Sequence, residues 1–120
     1  GLHHGHAWPA PEVVACRQVV AGHNHPAIAF RDRVEKLHTA DCWLRVPLVA
    51  GERYDVMGEE LIIIPAFGEL AGRTMNREPL TGFGVLLRNG YGDLPAARVE
   101  SLDGLDFGEL RHLMDLRLER

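Results

Sequence analysis

Arg17-Gln18-Val19-Val20-Ala21-Gly22-His23-Asn24-His25 joins a strand-like apolar run to a close pair of histidines. Its apolar residues 19–21 read as the end of a buried strand, and two imidazoles flank one residue just beyond it. In extended backbone His23 and His25 leave the same face of the chain. Gly22 ahead of them allows a tight turn and the close approach of a bulky or charged group. Paired neutral imidazoles in that arrangement suit a metal ion.

A second cluster, His3-His4-Gly5-His6, lies upstream, so five of the seven histidines fall within the first 25 residues. Between the clusters, Pro11 and Glu12 suit the first turn of a short helix over residues 11–16. A strand ending at His3-His4, continued from ahead of Gly1, would make the order strand, helix, strand, a crossover that lays two parallel strands side by side. Both strands would then deliver their histidines to one carboxyl edge, where open α/β sheets place their sites. Histidines far apart in sequence could share an ion there.

Downstream, short β segments are expected at 27–31, 42–46, 61–65, 84–87 and 96–100, separated by Gly, Pro, Asn and Asp turns such as Asn89-Gly90 and Tyr91-Gly92-Asp93. This spacing predicts mainly antiparallel pairing. Leu61-Ile62-Ile63-Ile64 is apolar throughout and is expected to be central, covered on both faces. In the tail, Leu110, Leu113, Met114 and Leu118 recur at helical spacing, which predicts an amphipathic helix over 106–120. The fold class is therefore α/β, one βαβ unit followed by antiparallel strands and a C-terminal helix, with residues 1–101 as the main body and 102–120 as a helical tail.

Composition narrows the function. A length of 120 residues with 46% hydrophobic and 25% charged residues is ordinary for one globular domain. A formal charge of −4 offers no basic footprint for nucleic acid. No apolar run approaches the ~20 residues that span a bilayer, and no signal for export is visible. Cys16 and Cys42 read as reduced core thiols, which places the expected compartment in the cytoplasm. The chain starts at Gly1 without an initiator methionine and enters a histidine motif at once, so it is expected to be part of a longer domain.

Blander readings compete for each histidine. His23 and His25 could bond turn carbonyls or sit satisfied in a core. A thiolate zinc finger is disfavoured, because neither cysteine has a Cys-x-x-Cys partner. His38, in the expected turn at 36–41, and His112, on the tail helix, read as partly exposed surface residues, whereas His6 could line the site beside His4. No carboxylate stands at a strand end with a histidine, so any ligand shell from this sequence alone is incomplete.

His4-Gly5-His6 followed by Gly22-His23-Asn24-His25-Pro26 resembles the last two metal-binding motifs of the calcineurin-like metallophosphoesterases. The likeness extends through Arg31-Asp32 and Pro65-Ala66-Phe67-Gly68 to Gly72 and Asn76, over roughly residues 1–88, toward a bacterial and archaeal subgroup related to DNA-repair nuclease subunits. The resemblance implies a four-layer α/β sandwich with two divalent ions, manganese foremost, iron or zinc in some members. By position it makes His4 and His23 ligands of one ion and His25 a ligand of the other. It also implies hydrolysis of a phosphomono- or phosphodiester, in which a dinuclear site neutralises phosphate charge and activates water. The family's earlier motifs, Asp-x-His, Gly-Asp and Gly-Asn-His, have no counterpart here. The expected chain is thus the carboxyl part of such an enzyme, inactive alone and in need of its amino-terminal half. A self-contained, non-catalytic metal-binding or protein-interaction domain is the alternative.

Overall fold

The computed structural model describes residues 1–22, 26–31, 33–65, 73–74 and 84–114. Its elements run β1 (Leu2–His3), α1 (Pro11–Val14), β2 (Gln18–Ala21), β3 (Pro26–Arg31), β4 (Leu37–Pro47), β5 (Glu60–Ile63), β6 (Arg73–Thr74), α2 (Gly84–Arg88), β7 (Arg98–Ser101), β8 (Asp106–Glu109) and α3 (Leu110–Met114). A single 3-10 turn, Leu94–Ala96, leads into β7. The result is a mixed α/β architecture, mostly strand, with a few short helices.

The crossover at the start of the chain forms as the histidine spacing suggested. β1 and β2 pair in parallel, Leu2 with Val20 and His3 with Ala21, and α1 connects them with Pro11 in its first turn. β2 continues the parallel set to β5, Val19 with Leu61 and Ala21 with Ile63. β4 closes it antiparallel on the far side of β5, Leu44 with Ile63 and Val46 with Leu61. From there the antiparallel part extends through β7 to β8.

Alternation along the strands sorts the sheet into two faces. Val19, Ala21, Leu61, Ile63, Leu44, Val46 and Val99 are all at most 2% exposed on one face. Val14 of α1, Leu86 and Leu87 of α2, Leu110 of α3, Tyr54 and Tyr91 complete that core. The opposite face holds Val20, Ile62, Trp43 and Arg45, each half-buried. The apolar run 61–64 is therefore central, flanked by β2 and β4, yet only Leu61 and Ile63 are buried while Ile62 and Ile64 are half-covered.

Three local expectations are corrected. Residues 84–88 form α2, where a strand was expected over 84–87. A continuous apolar run does not distinguish strand from helix, and the Asn89-Gly90 pair that reads as a hairpin turn acts as a helix cap. The amide of Tyr91 donates to the Leu86 carbonyl at 3.0 Å and that of Gly90 to Leu87 at 3.3 Å, with Gly90 at φ +84°. That is a Schellman ending, and its left-handed position is the reason for glycine. Second, the helix expected over 106–120 starts only at Leu110, because Asp106–Glu109 pairs with β7 as β8; residues 115–120 lie outside the described part. Third, residues 37–41, expected as a turn around His38, are the first half of β4 and pair with β3. Alternating small and polar residues there carry little apolar signal. One thiol departs too: Cys42 is buried, whereas Cys16 is exposed.

Candidate functional site at the carboxyl edge of the parallel strands

The carboxyl ends of β1, β2 and β5 come out along one edge of the sheet, since the three strands are parallel and adjacent. His4 follows β1, Gly22 follows β2 and Ile64 follows β5, whose ladder is prolonged by the Ile64 amide donating to the Ala21 carbonyl at 3.0 Å. A Cβ placed on Gly22 would lie 3.8 Å from the His4 carbonyl oxygen and 3.7 Å from the Ile64 side chain. These are ordinary contacts, so Gly22 is not demanded by space here. The proximity does place His4 beside the residue that immediately precedes His23.

His3, His4 and His6 take different environments. His3 pairs with Ala21 and so faces the covered side of the sheet, where its Nδ1 is buried with no hydrogen-bond partner among the described residues. Burial foremost, then the neighbouring His4 and the amino terminus, holds its pKa below the ordinary 6.5, which favours the neutral ring. His4 and His6 are exposed, and their rings meet edge to face with centroids 5.0 Å apart. Between them Gly5 is buried at φ +113°, a conformation that L side chains rarely adopt. Its carbonyl accepts from the amide of Val85 at 3.4 Å, which ties the loop to the start of α2.

His23 and His25 lie outside the described residues, as do Asp32, Ala66, Phe67, Gly68, Gly72 and Asn76. Of the three expected ligands, the structure therefore places only His4. Among the described residues no group of three or more His, Cys, Asp or Glu side chains could hold a metal ion. Imidazoles of His4 and His6 suit a divalent transition cation by donor chemistry, but two rings do not close a shell. His38 lies half-buried on β4 and His112 exposed on α3.

Comparison of the chain with protein-family models, curated proteins and solved structures returned no match.

One cluster beyond the histidine loop is not singled out by the sequence. Trp8, two residues past His6, meets Tyr91 with ring centroids 5.7 Å apart and Tyr54 at 6.3 Å, and the two tyrosines meet at 6.0 Å. The Arg53 guanidinium stacks 4.1 Å over the Trp8 ring. Tyr54 donates its hydroxyl to the Pro9 carbonyl at 2.6 Å, and the Tyr91 hydroxyl accepts from the Arg53 amide at 3.0 Å. Isolated tyrosines at 54 and 91 have no periodic neighbours that would mark them as a group in sequence. The only available signal was the Trp8-Pro9 pair so close to the histidines.

The open face of the sheet carries a different chemistry. Arg45 donates to Glu60 at 2.9 and 3.1 Å and to Glu100 at 3.4 Å, and Gln18 donates to Glu60 at 3.0 Å. These bonds, with Arg45 the largest cause, hold the Glu60 carboxyl below its ordinary range. Beside the network, a groove of about 280 Å³ runs between Trp43, Ile62 and Leu102. No helix among the described residues is long and apolar enough to cross a membrane.

Proposed function

We propose that this chain is the carboxyl part of a metal-dependent phosphoesterase domain of the calcineurin-like kind, cleaving a phosphomono- or phosphodiester. The observation that carries the reading is the parallel pairing of β1 and β2, which puts His4 beside Gly22 and hence at the root of Gly22-His23-Asn24-His25. In this reading His4 and His23 serve one divalent ion and His25 the other, with manganese the first candidate and iron or zinc next. The ions supply charge neutralisation and water activation when bound. The chain's own contribution is to hold imidazoles at a rigid sheet edge, with His6 lining the approach.

One further feature supports it: one face of the sheet keeps apolar side chains half-uncovered, which fits a second layer packing there. The phosphate-ester substrate would reach the site from the carboxyl edge, and the negative net charge gives nucleic acid no general attraction. The expected location remains cytoplasmic.

His23→Ala or His25→Ala in the full-length protein is expected to abolish manganese-stimulated hydrolysis of a chromogenic phosphodiester. Near-normal turnover in either variant contradicts the ligand assignment. Calorimetry on the 120-residue chain is expected to show weak manganese binding or none. The groove on the open face favours a second reading, a non-catalytic interaction domain; retained binding of a protein partner by a full-length protein that never hydrolyses phosphate esters would select it.

A further inference from the structure

We infer that Tyr54 is a positioning residue for the histidine loop that follows β1, acting through the Pro9 carbonyl and the Trp8 ring. The inference rests on the proposed reading only in taking His4 and His6 to border the site; the geometry stands apart from it. The loop is tied at two points. At one end the Gly5 carbonyl is held by the Val85 amide at the start of α2. At the other, the Pro9 carbonyl accepts the Tyr54 hydroxyl at 2.6 Å, across 45 residues of sequence.

Only residues 6–8 lie between these ties. So short a span has few conformations left once both ends are fixed, and its middle includes His6 and Trp8. Trp8 is held in turn by the tilted ring of Tyr54, by the perpendicular ring of Tyr91 and by the Arg53 guanidinium over its face. Because the His4 and His6 rings touch, a change at His6 reaches His4 directly. Tyr54 is only 7% exposed, and Pro9 is buried. Its hydroxyl has a buried acceptor to satisfy, which fixes where the loop can lie.

Tyr54 therefore does two separable things. Its ring fills the core beside Tyr91, and its hydroxyl sets the loop. Tyr54→Phe in the full chain removes only the second. Imidazole ring resonances of all seven histidines provide the readout, with His38 and His112 as internal references. Val99→Ala, a core truncation far from the loop in sequence and outside the aromatic cluster, supplies a control for general loss of stability.

The expected result for Tyr54→Phe is displaced resonances for His6, and to a smaller extent His4, with His38 and His112 unmoved. Val99→Ala is expected to lower the melting temperature and leave all four in place. Unmoved His4 and His6 in Tyr54→Phe, or equal displacement in Val99→Ala, overturns the inference. The metal reading is tested separately, by manganese-stimulated hydrolysis in the His23→Ala variant of the full-length protein. If His4 and His6 move in Tyr54→Phe but His23→Ala keeps near-normal turnover, the positioning role stands and the metal assignment falls.

Discussion

The two faces of the sheet are made by the same strands yet are organised on different principles. On one face Leu44, Ile63, Val19 and Val99 are completely buried, and the chain covers them with its own helices and tyrosines. On the other, Val20, Ile62 and Trp43 stay half-covered beside an ion network centred on Arg45. Area removed from water is the main favourable term in folding, so the first face supplies most of the stability. The second face keeps apolar surface in reserve. Charged groups satisfied by one another, rather than by water alone, let such a face be approached by another layer without leaving ions unpaired.

The sharpest way to break this contrast is to truncate one residue on each face. Leu44→Ala opens a cavity under closed packing and is expected to cost about 2–5 kcal/mol, enough to unfold a marginal domain. Ile62→Ala, one strand over and on the open face, should cost about 1 kcal/mol, because its side chain already meets solvent. Denaturant melts of both variants check the pair. Equal losses would mean that the second face is as closed as the first.

The buried thiol gives a second handle on the covered face. Cys42 is fully buried, and desolvation, helped by neighbouring Asp41, pushes its pKa from 9.0 up to about 12. The unfolded chain releases this proton near pH 9, while the folded chain keeps it until about pH 12. Deprotonation thus favours the unfolded state, and stability should fall as pH rises across that window. Comparing alkaline melts of wild type and Cys42→Val isolates the effect: the variant should lose the slope. At pH 8 a thiol reagent should label exposed Cys16 and spare Cys42. Rapid labelling of both would show that the covered face opens readily.

How much of this was legible in the sequence follows from the same contrast. The crossover could be read because Val19-Val20-Ala21 and the histidine clusters mark strand ends, and Pro11 marks a helix start; local residues determine all three. α2 could not, since Val85-Leu86-Leu87 is equally apolar in strand and helix, and the cap function of Gly90 depends on where the chain goes next. β8 was hidden for a similar reason. Asp106-Phe107-Gly108-Glu109 has no strand pattern of its own and exists by pairing with β7 across a shift in register. At the site, the spacing of His4 and His6 shows only that both can face the same way, and in the structure their rings meet. Tyr54, Tyr91 and Arg53 reach the loop only through tertiary packing, and no spacing rule connects residues so far apart. The closeness of His4 to Gly22 follows from the register of β1 on β2, whereas the ligand roles given to His23 and His25 rest on a resemblance that the variants described above test.

Gly90→Ala probes how firmly the cover is held. Forcing a side chain into the left-handed position at φ +84° is expected to cost about 1 kcal/mol, although a Cβ there meets nothing within 4 Å. The loss should come from α2, whose Leu86 and Leu87 sit on the covered face. Hydrogen exchange should therefore quicken in α2 before it does in β5. Uniform quickening would mean that helix and sheet open as one unit.

The smallest expected effect belongs to Arg45→Met, and its size is what matters. Arg45 keeps 40% of its side chain exposed, and its partners Glu60 and Glu100 keep 26% and 30%. Ion pairs this open to solvent contribute about 0–1 kcal/mol, since water screens the charges and two long side chains must be ordered to meet. Methionine retains the apolar stem that packs beside Ile62, so the net change in the melt should lie near zero. A small acid-side difference should remain. Glu60 has its folded pKa lowered by Arg45, so the stabilisation it gains is present above the ordinary carboxylate range and is lost as pH falls through its lowered value. Wild type should thus lose slightly more stability than Arg45→Met on going from neutral to acid pH. A large loss in Arg45→Met at neutral pH would reverse the view of the two faces, because the open side would then hold the sheet together by charge.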